Sequence, residues 1–290
     1  MSGNYTLALN STNVVGSGNN TYKFNFASGG FQAKDSEIAI GSLTIPYSWF
    51  NVSSAYGNNT FSITVPSNGL DTKNTQTFTL PNGFYQVSDI NNYVQLWLYN
   101  NNYYLNNASG QPVYYINFSA NTTYYRVDIL FTAVPTSTTI PSGYSLPSGT
   151  TQGWSLGLPS TSKTIQLTLP SNGPNAILGL TAGTYPSVTT STYTQPSNIT
   201  PVGSSINALL CHCNLVNNHI VNPSDILDLI PINSTFGSNI NYQPPFSKFI
   251  AIRDGNYSSL QINFTDQNNT PLNAQDSNIG MTLLIRQKQK

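Results

Sequence analysis

The sequence predicts an all-β protein, an antiparallel sandwich or barrel. Three observations predict it. Apolar and polar residues alternate in short runs almost from end to end. Pro, Gly and Asn clusters that supply turn geometry separate these runs. A single segment carries a good helical period, so a parallel α/β architecture, which needs a helix between successive strands, is excluded.

Taken in order, Tyr5, Leu7 and Leu9 mark the first strand and Tyr22, Phe24 and Phe26 the second. Ile38 and Ile40 open a third, whose parity changes at Gly41-Ser42 and resumes at Leu43 and Ile45; a parity change beside Gly reads as a β-bulge or strand bend. Phe61, Ile63 and Val65 follow, then Val127, Ile129 and Phe131, then Ile165, Leu167 and Leu169. In the last third Phe249 with Ala251, Leu260-Ile262-Phe264 and Met281-Leu283-Ile285 repeat the pattern, separated by Gly255-Asn256 and the polar stretch from Asp266 to Asn278. The helical segment has Ser88-Asp89 as N-cap and first-turn acid, then Ile90, Val94, Trp97 and Leu98 on one face. It reads as a packing helix closing one end of the sandwich.

Composition bears on function. Ten acidic and ten basic residues in 290 leave the chain 7% charged with no net charge, against about 25% charged in ordinary soluble domains. More than a third of the chain is Asn, Ser and Thr. Such a surface has little electrostatic repulsion between copies, and self-assembly is the expectation. A hydrophobic fraction of 38% excludes a disordered chain. No run of about 20 apolar residues predicts a membrane span, and the start from Met1 to Thr6 lacks the charged and apolar regions of a secretory signal. A reducing interior is therefore expected, and the many Asn-x-Ser/Thr triplets, such as Asn51-Val52-Ser53, Asn117-Phe118-Ser119 and Asn263-Phe264-Thr265, read as chance products of composition.

Parts for catalysis are scarce: two histidines, His212 and His219, one glutamate, Glu37, and nine scattered aspartates. Cys211-His212-Cys213 with His219 is the one cluster of metal-ligand types, but on a strand His212 points away from both cysteines, so a zinc site or a Cys–His nucleophile pair is not expected. Cysteines two apart on a strand are also poorly placed for a mutual disulfide and read as small core residues. Asp266 to Asp276 is oxygen-rich yet lacks calcium-loop spacing, and reads as a polar hairpin loop. No dinucleotide, Walker or zincin motif is present. The sequence thus predicts no catalytic, cofactor-binding or metal-ligating residue. Tyr103-Tyr104, Tyr114-Tyr115 and Tyr124-Tyr125 read equally as a sugar- or protein-binding surface or as half-buried strand aromatics. The terminal Arg286-Gln287-Lys288-Gln289-Lys290 holds three basic residues able to make weak phosphate contacts with nucleic acid, though a solvated end is the plainer reading.

Several weak motifs in order carry a resemblance. Asn214-Leu215-Val216-Asn217-Asn218, Asp225-Ile226-Leu227, Phe236-Gly237-Ser238-Asn239-Ile240, Pro244-Pro245-Phe246, Gly255-Asn256-Tyr257, Leu260 to Asp266, Asp276-Ser277-Asn278-Ile279 and Leu283-Leu284-Ile285-Arg286 are joined by Ile45 to Asn51 and by Leu80 to Tyr85. Over about residues 36–100 and 200–286 the chain resembles the minor capsid (penton) proteins of virophages and Polinton-like viruses. The resemblance implies a single jelly roll, an eight-stranded antiparallel sandwich. It also implies a homopentamer that plugs the five-fold vertices of a virion beside a separate double-jelly-roll major capsid protein, assembled inside a host cell. The family tolerates insertions between strands. Residues 134–201, dense in Pro, Ser, Thr and Gly yet containing the strand Lys163–Leu169 and the run Ala176 to Leu180, fit such an insertion or long ordered loops. The expected division is therefore a jelly-roll domain of 1–133 and 202–290 with an inserted 134–201. The alternative is a viral fibre head or lectin-like sandwich that binds carbohydrate or a receptor.

Overall fold

Eight strands make the main ladders of the first of two units in the computed structural model, which describes residues 4–27, 29–71, 74–149, 151–189 and 191–288. They are β1 Asn4–Asn10, β2 Thr21–Asn25, β3 Ser36–Pro46, β4 Ala208–Cys213, β5 Ile226–Pro231, β6 Asn239–Tyr242, β7 Ser259–Asp266 and β8 Gly280–Gln287. The short strands Phe31–Ala33, Ile250–Ala251 and Gly255–Tyr257 add to them. One sheet has the order β1-β8-β3-β6 and the other β2-β7-β4-β5, with every neighbour antiparallel. First pairs with eighth, second with seventh, third with sixth and fourth with fifth, as in one long hairpin ribbon. Rolling that ribbon up sets β8 beside β3 and β7 beside β4. This is a single jelly roll.

Its core follows from the alternation. Leu7, Leu9, Ile38, Ile40, Leu43, Ile45, Met281, Leu283 and Ile285 from one sheet are buried, as are Tyr22, Leu209, Cys211, Cys213, Leu260, Ile262 and Phe264 from the other. Tyr5, in phase with Leu7 and Leu9, lies exposed at the strand end.

The bulge stands where the parity change predicts it. Along β8 the buried residues are spaced two and two, at Met281, Leu283 and Ile285. They face Leu43, Ile40 and Ile38 of β3. The step from Ile40 to Leu43 is three residues, so one residue of β3 must go unpaired, and the register shifts between Thr282↔Ser42 and Leu283↔Ile40. Gly41 is that residue. A Cβ there would stand 3.3 Å from Leu284 Cγ and 3.4 Å from the Thr282 carbonyl oxygen, tight contacts that glycine avoids.

The second unit, residues 51–205, has its own sheets and core. Strands Gly183–Tyr185, Gln166–Leu169, Thr60–Thr64 and Thr75–Thr79 lie side by side in that order. Tyr193–Pro196, Arg126–Phe131 and Ile116–Asn121 form a three-stranded sheet. Helix α1, Val87–Asn100, buries Ile90, Val94 and Leu98, and the one-turn α2, Asn175–Leu178, buries Ile177 and Leu178.

Two expectations change here. The roll comprises 1–50 with 206–290, and the inserted unit begins at 51, not 134. The alternating segments near 61, 127 and 165 are strands, but they lie in this unit and not in the roll: Ile63 pairs with Leu167 in one sheet, while the strand at 127 pairs in the other, Asp128 with Pro196 and Ile129 with Phe118. Alternation reports that a strand is half-buried and says nothing of its hydrogen-bonded neighbour; the change in composition near 134 lies inside the unit. The helix, too, belongs to this unit and starts two residues early. Gln86 is its N-cap, and Asp89 at the third helical position accepts from the Gln86 backbone N–H at 2.7 Å, which puts Ser88 inside the first turn.

Candidate functional site

The residues singled out for chemistry are mostly held in structural roles. Cys211 and Cys213 are fully buried, and burial pushes their thiols up, Cys213 to about 12 and Cys211 also well above its ordinary value. Neither supplies a thiolate at neutral pH. His212 turns to other partners: Nδ1 lies 3.1 Å from Asp225 Oδ1 and Nε2 3.0 Å from Thr265 Oγ1. A hydroxyl, an imidazole and a carboxylate in line have the geometry of an activated nucleophile. Thr265 Oγ1, however, also donates to the Asp266 carbonyl at 3.2 Å, and the Cys213 N–H donates to the Asp225 carbonyl at 2.9 Å. The cluster ties the chain around Asp225 to the strands β4 and β7. Nothing in the sequence marked Asp225 or Thr265 as partners, since they stand 13 and 53 residues from His212. His219, in contrast, is exposed and within 3.0 Å of Asn217 Nδ2.

The oxygen-rich loop also uses its own ligand atoms. Asp266 Oδ1 accepts from the Asn268 and Thr270 N–H groups, both at 2.8 Å, and Asp276 Oδ1 accepts from the Asn278 N–H at 2.9 Å. At the C-terminal end Arg286 Nε reaches Glu37 Oε1 at 2.6 Å and its guanidinium lies 3.6 Å over the Phe249 ring, so one of the three basic side chains is committed. Gln289 and Lys290 lie outside the described residues.

The tyrosine pairs divide between the two readings. Tyr103 and Tyr115 are buried, and each packs edge-on against Trp154. Tyr103 donates its hydroxyl to Asp71 Oδ2 at 2.6 Å, and the same oxygen accepts from the Gly153 N–H at 2.8 Å. Burial, followed by that carboxylate, raises the Tyr103 pKa far above its usual value. Gly153 has φ +60°, and a Cβ there would collide with the carbonyl oxygens of Asn101 and Asn102. Tyr99, Tyr104 and Tyr114 form a partly exposed ladder with centroid separations of 5.0 and 6.4 Å. Tyr124 and Tyr125 are 69% and 74% exposed at the tip of the 116–131 hairpin.

That tip overhangs a cleft of about 510 Å³ within the second unit, in the size range of ligand-binding clefts. Phe84, Val87, Phe118, Tyr125 and Ile177 give it apolar walls, while Gln86, Ser88 and Asn121 stand at its neutral polar lining. Tyr125 adopts φ +49°, uncommon for a bulky non-glycine residue and costing of order 1 kcal/mol. Arg126, which also lines the cleft, is already paired with Asp128 at 2.8 Å. The cleft is therefore electrically neutral.

A second exposed feature stands on the roll. Between β6 and the strand Ile250–Ala251 runs Gln243-Pro244-Pro245-Phe246-Ser247, and Phe246 is 69% exposed. Both ends of this loop converge on one carboxylate. Tyr242 donates to Asp228 Oδ2 at 2.5 Å and Lys248 Nζ to Asp228 Oδ1 at 2.9 Å.

No family model matches the sequence, and no curated protein matches it. Among solved structures the chain is similar to a mavirus penton protein, at 10% identity over 98% of this chain and 99% of that one, with a TM-score of 0.46. It is also similar to a chain of the Sputnik virophage structure, at 11% identity over 98% of both chains, with a TM-score of 0.42. The strand order of the roll carries the fold assignment here.

Proposed function

We propose that the protein is a structural component of a viral capsid: a penton whose five copies close a ring at the icosahedral vertices, beside a double-jelly-roll major capsid protein, in a virion assembled inside a host cell. The observation that carries this reading is an eight-stranded jelly roll on a chain almost free of charge. The interior of the roll is filled by apolar side chains, which leaves faces and loops to act. Residues 51–205 contain six charged side chains, Asp71, Lys73, Asp89, Arg126, Asp128 and Lys163. Of these, Asp71 is buried, Asp89 caps α1, and Arg126 and Asp128 neutralise each other. Copies with so little charge approach without repulsion. In a five-fold ring the contacts are heterologous, one patch meeting a different patch on the next copy. Its action is geometric, not catalytic. The basic C-terminal residues add a weak contact with nucleic acid in the same reading.

The exposed Tyr124 and Tyr125 favour a second reading, a fibre head or lectin-like sandwich that holds carbohydrate or a receptor. Symmetry separates the two. Native mass spectrometry of the purified protein, or five-fold-averaged imaging of particles containing it, gives five copies per assembly if the penton reading is right. A stable monomer or trimer refutes it.

A further inference from the structure

We propose that Phe246 of one copy inserts into the neutral aromatic cleft at Phe84, Phe118 and Tyr125 of a second copy. The inference rests on the reading of the protein as a ring-forming assembly and names the contact that closes it. Four observations lead to it.

First, a large aromatic side chain left 69% in water is a binding anchor in search of a pocket, because aromatic residues bury the most area per side chain. Second, the segment bearing it is held in place. Pro244 and Pro245 have φ restricted to about −65°, and Asp228 fixes the flanking Tyr242 and Lys248. Little conformational entropy is then lost when Phe246 docks, which favours association. Third, the cleft has the matching character: aromatic and aliphatic walls, about 510 Å³ of space, and room for a phenyl ring with a prolyl neighbour. Proline-rich segments commonly dock in aromatic-lined grooves. Fourth, the charges cancel on both sides, Lys248 against Asp228 near the anchor and Arg126 against Asp128 in the cleft, so a neutral anchor meets a neutral pocket with no unpaired charge to desolvate. An anchor and a pocket at different places on one chain, engaged head to tail from copy to copy, make a heterologous contact, which is the kind that generates rings.

The test uses the full chain and reads the number of copies and their dissociation constant by native mass spectrometry and sedimentation. Phe246→Ala is expected to weaken association about thirty-fold or more, as for a hot-spot aromatic. Ala120→Arg, an exposed position lining the cleft, is expected to do the same by placing a charge in the pocket. Phe246→Glu combined with Ala120→Arg is expected to recover at least part of the loss, since a direct contact couples the two positions. All three change exposed residues, so the melting transition of the separated copies should be unchanged. A wild-type pentamer that persists in Phe246→Ala or in Ala120→Arg overturns the contact while leaving the penton reading intact, and so does a double variant no tighter than the weaker single one. Wild-type protein forming some other closed ring that the single variants dissolve would keep the contact and remove the penton reading. A wild type that is monomeric at every concentration removes both.

Discussion

Deleting Gly41 tests the link between sequence spacing and the roll most directly. With Gly41 in place, Ile38 and Ile40 on one side of the bulge and Leu43 and Ile45 on the other all point into the core, each at most 3% exposed. Without it β3 becomes a regular strand, and a shift of one residue moves one half of this set to the opposite face. Either Ile38 with Ile40 or Leu43 with Ile45 must then leave the core. Burying such a side chain contributes about 1.5–3 kcal/mol, so the deletion should cost about 3–6 kcal/mol, comparable to the 5–15 kcal/mol that holds a typical domain together. Guanidinium unfolding followed by the fluorescence of Trp49, itself buried in the same unit, reads the loss. Gly41→Ala serves as control: its Cβ crowds neighbours at 3.3–3.4 Å but the parity is kept, so its loss should stay near the low end of the overpacking range, about 1 kcal/mol. A deletion variant within about 1 kcal/mol of the wild type would refute the claim that the bulge exists to keep both halves of β3 in phase with β8.

Three further outcomes are expected. Asp71→Ala leaves the buried Tyr103 hydroxyl and the Gly153 N–H without their shared acceptor, at about 1–3 kcal/mol each; hydrogen exchange should rise within residues 51–205, and unchanged exchange there contradicts the assignment. His212→Ala removes both bonds that tie Asp225 and Thr265 together, and should speed proteolysis or hydrogen exchange in 214–225 while β4 and β7 stay protected. Cys211 and Cys213 should resist alkylation at pH 8 until the chain unfolds. Because burial raises the folded pKa of Cys213 from 9.0 to about 12 and that of Tyr22 from 10.0 to about 12, the folded state keeps protons the unfolded state gives up. Stability is then fully present below pH 9 and falls as pH rises between 9 and 12, and a melting temperature flat across that window contradicts the burial argument.

Much of the roll was legible in the chain because a strand's burial pattern is written locally. The alternating sets at Leu7, Tyr22, Ile38, Leu260 and Met281 each fall on a strand of the roll, and the three-residue step from Ile40 to Leu43 places the bulge at Gly41. The helix was legible through its 3.6-residue period, and its start was missed because Asp89 caps the Gln86 backbone from the third position instead of following an N-cap side chain at Ser88. The pairing of strands 249 residues apart, such as Glu37 with Arg286, leaves no local trace.

Alternation and the scarcity of charge are legible in the residues themselves, so the sequence by itself determined an all-β chain of low charge whose cysteines serve as core. Which strands bond to which depends on closing long loops, and only the tertiary structure decided that the insertion begins at residue 51, that His212 meets Asp225 and Thr265, and that Phe246 projects from a pinned loop. The reason is physical: a hydrogen-bond ladder or an aromatic-lined cleft is assembled from segments whose proximity comes from rolling the ribbon and packing its faces, and no single segment carries that information.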